Sequence, residues 1–330
     1  MLTIDLIEQA AERLRDVAIE TPLLENHHLN AACDSRVLLK PELLQHTGSF
    51  KFRGAYNTIA QLDVEQRGRG VVACSSGNHA QGVAYAAQLL DTPATIVMPS
   101  DAPTIKIENT KAYGAEVVLY DRATEDRQAI ASSIAERSSA ELVLPYDDYR
   151  VMAGQGTVGL ELAAQAKARD IQLDAVIVCC GGGGLSAGVA TAFAAKSPET
   201  KVYTAEPENF DDHARSFVTG QRESNNQLTG SLCDALMADR PGELTFPINH
   251  RLIEKGLVVT EAQVIDTVAF AFEKLKLVVE PGGAAALAAA MNTPELHGLN
   301  LGVVLTGGNI DPALFTQVIE NSPNPPTSLS

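Results

Sequence analysis

The stretch Thr47-Gly48-Ser49-Phe50-Lys51-Phe52-Arg53-Gly54-Ala55 places one lysine between two aromatic side chains, directly after a turn-like Thr-Gly pair. Flanking phenylalanines draw such a lysine toward the interior, where burial disfavours the ammonium form and lowers its pKa. The resulting free amine can condense with a carbonyl. The ordinary alternative is a stem laid along apolar surface with its charged head in water. Segments elsewhere in the chain weigh between the two.

Ser75-Ser76-Gly77-Asn78-His79 and Gly181-Gly182-Gly183-Gly184-Leu185-Ser186 each follow a short apolar run. Those runs, Val71 to Cys74 and Ala175 to Cys180, read as buried parallel strands. Each loop precedes a small-residue helical stretch, Gln81 to Leu90 and Ala187 to Lys196. Strand, glycine-rich loop and helix together aim backbone N–H groups and a helix N-terminus at an anion. Consecutive glycines remove every Cβ that would obstruct that approach.

Five motifs in order, T-G-S-F-K-x-R-G-A (Thr47 to Ala55), S-S-G-N-H (Ser75 to His79), A-G-Q-G-T (Ala153 to Thr157), G-G-G-G (Gly181 to Gly184) and T-G-G-N (Thr306 to Asn309), carry a family resemblance. The chain resembles the fold type II pyridoxal-phosphate enzymes, in particular the threonine dehydratase and serine racemase family, from near Ile4 to near Asp311. The resemblance implies a two-domain α/β fold of tryptophan synthase β type, with parallel-rich sheets flanked by helices. It assigns residues 1–69 and 148–330 to a large cofactor domain and 70–147 to a small domain closing over the substrate. It leaves no place for the C-terminal allosteric extension of some biosynthetic threonine dehydratases, so isoleucine feedback is not expected.

The alternation of apolar runs with helical stretches agrees with α/β. Ala94 to Met98, Glu116 to Tyr120 and Leu301 to Leu305 are further strand candidates, punctuated by Pro99, Gly114 and Gly307. No internal repeat stands out, and Ser322 to Pro326 reads as a disordered tail. A chain of 330 residues, 45% hydrophobic, favours two domains over one. A net charge of −16 argues against nucleic acid and anionic membrane as partners. No apolar run approaches the roughly 20 residues that span a bilayer, and no signal peptide is visible. Five cysteines without metal-like spacing point to a reduced, cytoplasmic protein.

By the resemblance, Lys51 is the Schiff-base lysine and also removes the substrate Cα proton. Phe50 lies near the cofactor ring, or is ordinary core. Gly181, Gly182, Gly183, Gly184 and Leu185 cradle the cofactor phosphate, Asn78 meets the phenolic oxygen, and Thr306 meets the pyridine nitrogen. A neutral hydroxyl there forms no charge-assisted pair with the ring, which favours β-elimination over transamination. Ser75, Ser76, Gly77, Asn78 and His79 line the substrate. Ser76 matches the second base of serine racemases, on the face opposite Lys51, or simply lines the carboxylate loop.

Glu206, the carbonyl of Phe210 and Asp212 match a divalent-cation site for Mg²⁺, Ca²⁺ or Mn²⁺, against the alternative of a solvated acidic turn. Arg127 falls early in a predicted helix, where serine racemases carry an arginine facing a substrate-side carboxylate. An arginine fork there would select 3-hydroxyaspartate; otherwise Arg127 is a surface ion-pair partner. Pro145-Tyr146-Asp147-Asp148 resembles the dehydratase version of its loop, and Asp234-Ala235 replaces the racemases' Asp-Gly. The expected activity is a dehydrating ammonia-lyase for an L-β-hydroxy amino acid (threonine, serine or 3-hydroxyaspartate), giving a 2-keto acid and ammonia. The alternative is a racemase using Lys51 and Ser76, and a third reading is a protein that binds the cofactor without turnover. The family suggests a homodimer.

Overall fold

A computed structural model of the chain describes residues 1–75, 77–102 and 104–321; Ser76 and the tail Ser322 to Pro326 lie outside the described residues. Among the described residues, ten strands form two sheets. The larger has the order β1 (Leu24–Glu25), β2 (Arg36–Pro41), β10 (Asn300–Leu305), β7 (Ala175–Cys179), β8 (Lys201–Pro207), β9 (Lys255–Val259). Only the β1–β2 pair in it is antiparallel. The smaller has the order β5 (Glu116–Tyr120), β4 (Ala94–Pro99), β3 (Val71–Cys74), β6 (Glu141–Leu142), all parallel. The expected α/β class with parallel-rich sheets is what the chain adopts. The smaller sheet is built entirely from residues 71–142, and the larger draws on both ends of the chain.

The sequence explains these layers. β7 and β10 are buried along nearly their whole length, so they are apolar without alternation. The helix Pro281–Asn292 is buried nearly all round and packs on β7, β8 and β10 through alanines, which allow close approach. Helices Tyr149–Lys167 and Gly184–Lys196 approach even more closely. A Cβ on Gly188 would lie 2.5 Å from the Met152 carbonyl oxygen, so only glycine fits this crossing. The A-G-Q-G-T motif thus falls inside a helix and serves packing. No helix among the described residues is long and apolar enough to cross a membrane. All five cysteines are free, four of them buried.

Candidate active site

Loops at the carboxyl ends of parallel strands form the site, the side on which open α/β sheets hold ligands. β3 leads into Ser75 to His79, β7 into the four glycines, and β10 into Thr306 to Asn309. The segment before Lys51 is stitched to the last of these. Phe50 N donates to Thr306 O at 3.2 Å and Gly308 N to Gly48 O at 3.0 Å. Ser49 and Gly307 form an antiparallel bridge.

Lys51 opens the helix Lys51–Ile59. Its Nζ donates to the Pro145 carbonyl oxygen at 2.8 Å and lies 5.1 Å from the Phe50 ring centroid. Burial pulls the ammonium pKa down to about 8, with the nearby Glu280 charge acting against it. Phe52 is fully buried; Phe50 is partly buried against Leu23, Leu38 and their neighbours. Two residues on, the buried Arg53 anchors the same helix. Its guanidinium donates to both oxygens of buried Glu42 at 2.7 and 2.8 Å and to Glu161 at 2.6 and 2.9 Å. Such a pair is costly to break from one side, so it fixes the register of the Lys51 turn.

The glycine loop has the geometry of an anion cradle. Its carbonyls are turned away and held: Thr245 Oγ1 donates to Gly182 O at 2.7 Å, and Asn249 Nδ2 and Ser186 Oγ donate to Gly183 O at 3.1 and 3.0 Å. The N–H groups of Gly182, Gly183, Gly184 and Leu185 find no acceptor among the described residues. Gly183 has φ +90°, a conformation glycine adopts without strain. A Cβ on Gly182 would meet the Tyr146 ring at 2.4 Å. The helix begins at Gly184, three residues before the alanine-rich stretch the sequence suggests, and the following helix of the other motif begins at Asn78, also three residues early. Loop residues therefore supply the first helical turns, whose free N–H groups suit a phosphate. These orphaned donors and the low-pKa amine of Lys51 fit pyridoxal phosphate.

Asn78 is buried and held from both ends of its amide. Nδ2 donates to Glu280 Oε1 at 2.6 Å, and Oδ1 accepts from Asn309 Nδ2 at 2.7 Å. Glu280 is absent from the sequence-based candidates, because an acid before Pro281 reads as an ordinary helix cap. It makes no capping hydrogen bond. Burial pushes its carboxyl up to about 7, helped by Asp234 and opposed by Asn78, Lys106 and Lys51. Thr306 is buried, with its hydroxyl acting on the Cys179 thiol. His79, kept neutral by burial with its pKa near about 3, donates from Nε2 to the Val143 carbonyl at 2.9 Å, just before Pro145. Ser75 Oγ accepts from Gly77 N at 3.2 Å. Ser76, the candidate second base, lies outside the described residues.

Arg127 is the first residue of the helix Arg127–Ser138, after the N-cap Asp126. It is exposed, and among the described residues no carboxylate or carbonyl engages its guanidinium. Burial raises the pKa values of the Cys74 thiol and the Tyr146 phenol, and the Arg127 charge opposes both shifts. Its charge therefore reaches the end of β3 and the ring that leans on the glycine loop. A cation in the first turn opposes the helix dipole, so stability gives no reason for an arginine here.

Glu206 and Asp212 come together around the start of the helix Asp212–Thr219, two residues after the buried Phe210. Both Glu206 oxygens accept backbone N–H groups, from His213 at 2.9 Å and Ala214 at 2.8 Å. Asp212 Oδ1 accepts from Asn225 Nδ2 at 2.7 Å, while its buried Oδ2 has no partner. Burial raises both carboxyls, Asp212 to about 7, and the Asp212 charge raises Glu206 further. Two buried carboxylates with an unpartnered oxygen are a donor set suited to a hard divalent cation. Among the described residues no cluster of three or more His, Cys, Asp or Glu side chains has metal-binding geometry. Any such site must therefore draw on backbone or water oxygens.

This arrangement can be compared with known proteins. The family model described as pyridoxal-phosphate dependent enzyme matches residues 14–307. An L-threo-3-hydroxyaspartate ammonia-lyase from a Pseudomonas species is 43% identical over 94% of this chain and 97% of its own length. An L-threonine ammonia-lyase from Thermotoga maritima is 39% identical over 97% of this chain and 78% of its own. The solved structure of maize serine racemase superimposes with a TM-score of 0.90 at 36% identity, covering 97% of each chain. With a family model matching residues 14–307 and a relative 43% identical over 94% of its length, the chain belongs to the pyridoxal-phosphate dependent enzymes.

Proposed function

We propose that this chain is a dehydrating ammonia-lyase for an L-β-hydroxy amino acid, with L-threo-3-hydroxyaspartate preferred over threonine and serine. The observation that carries the preference is Arg127: an unpaired guanidinium whose charge reaches the mouth of the site, at a helix position that stability does not explain. The similarity to an L-threo-3-hydroxyaspartate ammonia-lyase supports the same substrate.

When bound, pyridoxal 5′-phosphate supplies an electron sink at the substrate Cα. The chain's own residues do the rest. Gly182 to Leu185 hold the phosphate through four N–H groups, and Gly181 leads the chain into the cradle. Asn78 would hold the phenolic oxygen, Thr306 would meet the pyridine nitrogen, and Phe50 would lie near the ring. Lys51 would hold the cofactor's carbonyl carbon, and its amine would be the base for the substrate Cα proton. Ser75 to His79 bind the α-carboxylate, and Arg127 binds the second carboxylate. The small domain, residues 70–147, closes over the substrate and excludes water. The enzyme is a cytoplasmic homodimer.

The amine of Lys51 must be neutral to capture the cofactor. Uptake of pyridoxal phosphate by the cofactor-free protein is therefore expected to quicken as pH rises, with an apparent pKa of about 8 rather than that of an ordinary lysine. A stopped-flow absorbance series from pH 6.5 to 9.5 checks this.

Mg²⁺, Ca²⁺ or Mn²⁺ is proposed at Glu206, the Phe210 carbonyl and Asp212. Saturating Mg²⁺ at about 100 times its Kd is expected to stabilise the protein by about 2.7 kcal/mol. The rise in Tm should vanish in Asp212→Ala, and an equal rise in that variant places the ion elsewhere.

Turnover of L-threo-3-hydroxyaspartate in D₂O separates a lyase from a racemase. The lyase reading expects keto acid and ammonia in equal amounts, with recovered substrate keeping its Cα configuration. Accumulation of deuterated, inverted substrate faster than keto acid would instead make Ser76 a second base.

A further inference from the structure

Glu280 occupies the N-cap position of the helix Pro281–Asn292 yet caps nothing. Its carboxylate turns toward Asn78, where Oε1 accepts from Nδ2 at 2.6 Å. The fold reserves space for it: a Cβ on Gly307 would lie 2.0 Å from Glu280 Oε1 and 3.0 Å from Asn78 Nδ2. Asn309 Nδ2 approaches the other end of the same amide, donating to Asn78 Oδ1 at 2.7 Å and to Thr47 O at 2.7 Å.

The two contacts have opposite polarity. Above its pKa of about 7 the Glu280 carboxylate only accepts, which puts the Nδ2 end of Asn78 toward it. The Asn309 amino group only donates, so the Oδ1 end must face Asn309. Both demands select the same one of the two amide orientations. In that orientation one Nδ2–H of Asn78 stays uncommitted. The reversed amide would instead offer an oxygen.

We propose that Glu280, with Asn309 as its counterpart, is a positioning residue that locks the Asn78 amide with a hydrogen-bond donor available to the phenolic oxygen of the cofactor. This deepens the proposed function and rests on its assignment of Asn78. Lys51, Lys106 and Asp234 are the charged groups whose fields reach Glu280.

The test is the absorption spectrum of the holoenzyme, read with steady-state kinetics. Glu280→Gln keeps the shape but presents either a donor or an acceptor, so the orientation is no longer enforced. The spectrum is expected to lose intensity in the long-wavelength band of the lysine-bound cofactor and gain it at shorter wavelength. Loss of this hydrogen bond should lower kcat about tenfold, with KM changed less than about threefold. Asn309→Ala, at a half-buried position, should shift the spectrum in the same sense, a readout that does not depend on the Glu280 variant folding. In an Asn78→Ala background, Glu280→Gln should add nothing to the spectrum.

A wild-type spectrum in both Glu280→Gln and Asn309→Ala overturns the proposal. So does a Glu280→Gln effect that persists at full size without Asn78, since Glu280 would then act directly. If Asn78→Ala itself leaves the spectrum unchanged, the assignment of Asn78 fails, and this inference with it.

Discussion

Replacing Lys51 with alanine is expected to abolish keto-acid release, lowering kcat by more than about 10⁴-fold. The size follows from two roles lost together. On the proposed reading, the amine is both the group that holds the cofactor carbonyl and the base for the Cα proton. Two other lysines withdrawn from solvent are engaged elsewhere: Lys40 is locked between the Thr21 carbonyl and Glu161, and Lys106 is paired with Asp234 at 3.3 Å. The fold should survive, because Arg53, Glu42 and Glu161 hold the Lys51 helix independently of the amine. The Pro145 carbonyl loses its shorter donor and keeps Gln155 Nε2 at 3.4 Å, an effect of about 0.5–1.5 kcal/mol that a melting curve would register. Cofactor should still bind through the cradle, without covalent capture. A Lys51→Ala protein retaining more than a tenth of wild-type turnover would mean that another residue is the base.

The second large effect concerns Arg127. Arg127→Gln is expected to reduce kcat/KM for L-threo-3-hydroxyaspartate by about 10²-fold, the loss of a bidentate charge-assisted contact worth about 3 kcal/mol. For threonine and serine, which have no second carboxylate, the change should stay within about threefold. Arg127→Lys keeps a charge without the planar fork and should fall between the two. Stability should not suffer. The side chain is exposed and unpaired, Asp126 still caps the helix by accepting from Gln128 N at 2.8 Å, and a cation is removed from the positive end of the dipole. Equal losses for all three substrates would make Arg127 a general structural or closing element.

Much of this site can be read in the residue order. The glycine run after an apolar strand, and a lysine between phenylalanines, each have a local physical meaning that survives folding. Strand limits also emerge to within a residue: the apolar run Ala175 to Cys180 becomes β7 ending at Cys179, and Ala94 to Met98 becomes β4 ending at Pro99. Other features are settled only in three dimensions. β2 carries Lys40, fully buried, and a lysine speaks against a buried strand until Glu161 is found beside it. β6 is two residues long, too short for any pattern, and is defined by its pairing with β3. Glu280 looks like a helix cap, and its real partner Asn78 is 202 residues away in the chain. The helix starts at Asn78 and Gly184 are obscured by the small polar and glycine residues of those first turns.

The central claim is most directly tested by kcat/KM for keto-acid release from the purified, cofactor-loaded protein. The substrates to compare are L-threo- and L-erythro-3-hydroxyaspartate, L-threonine and L-serine. A preference for L-threo-3-hydroxyaspartate of about 10²-fold or more over threonine and serine is the predicted result. A preference for threonine or serine would contradict it, returning Arg127 to the helix surface and making the enzyme a general hydroxy-amino-acid dehydratase.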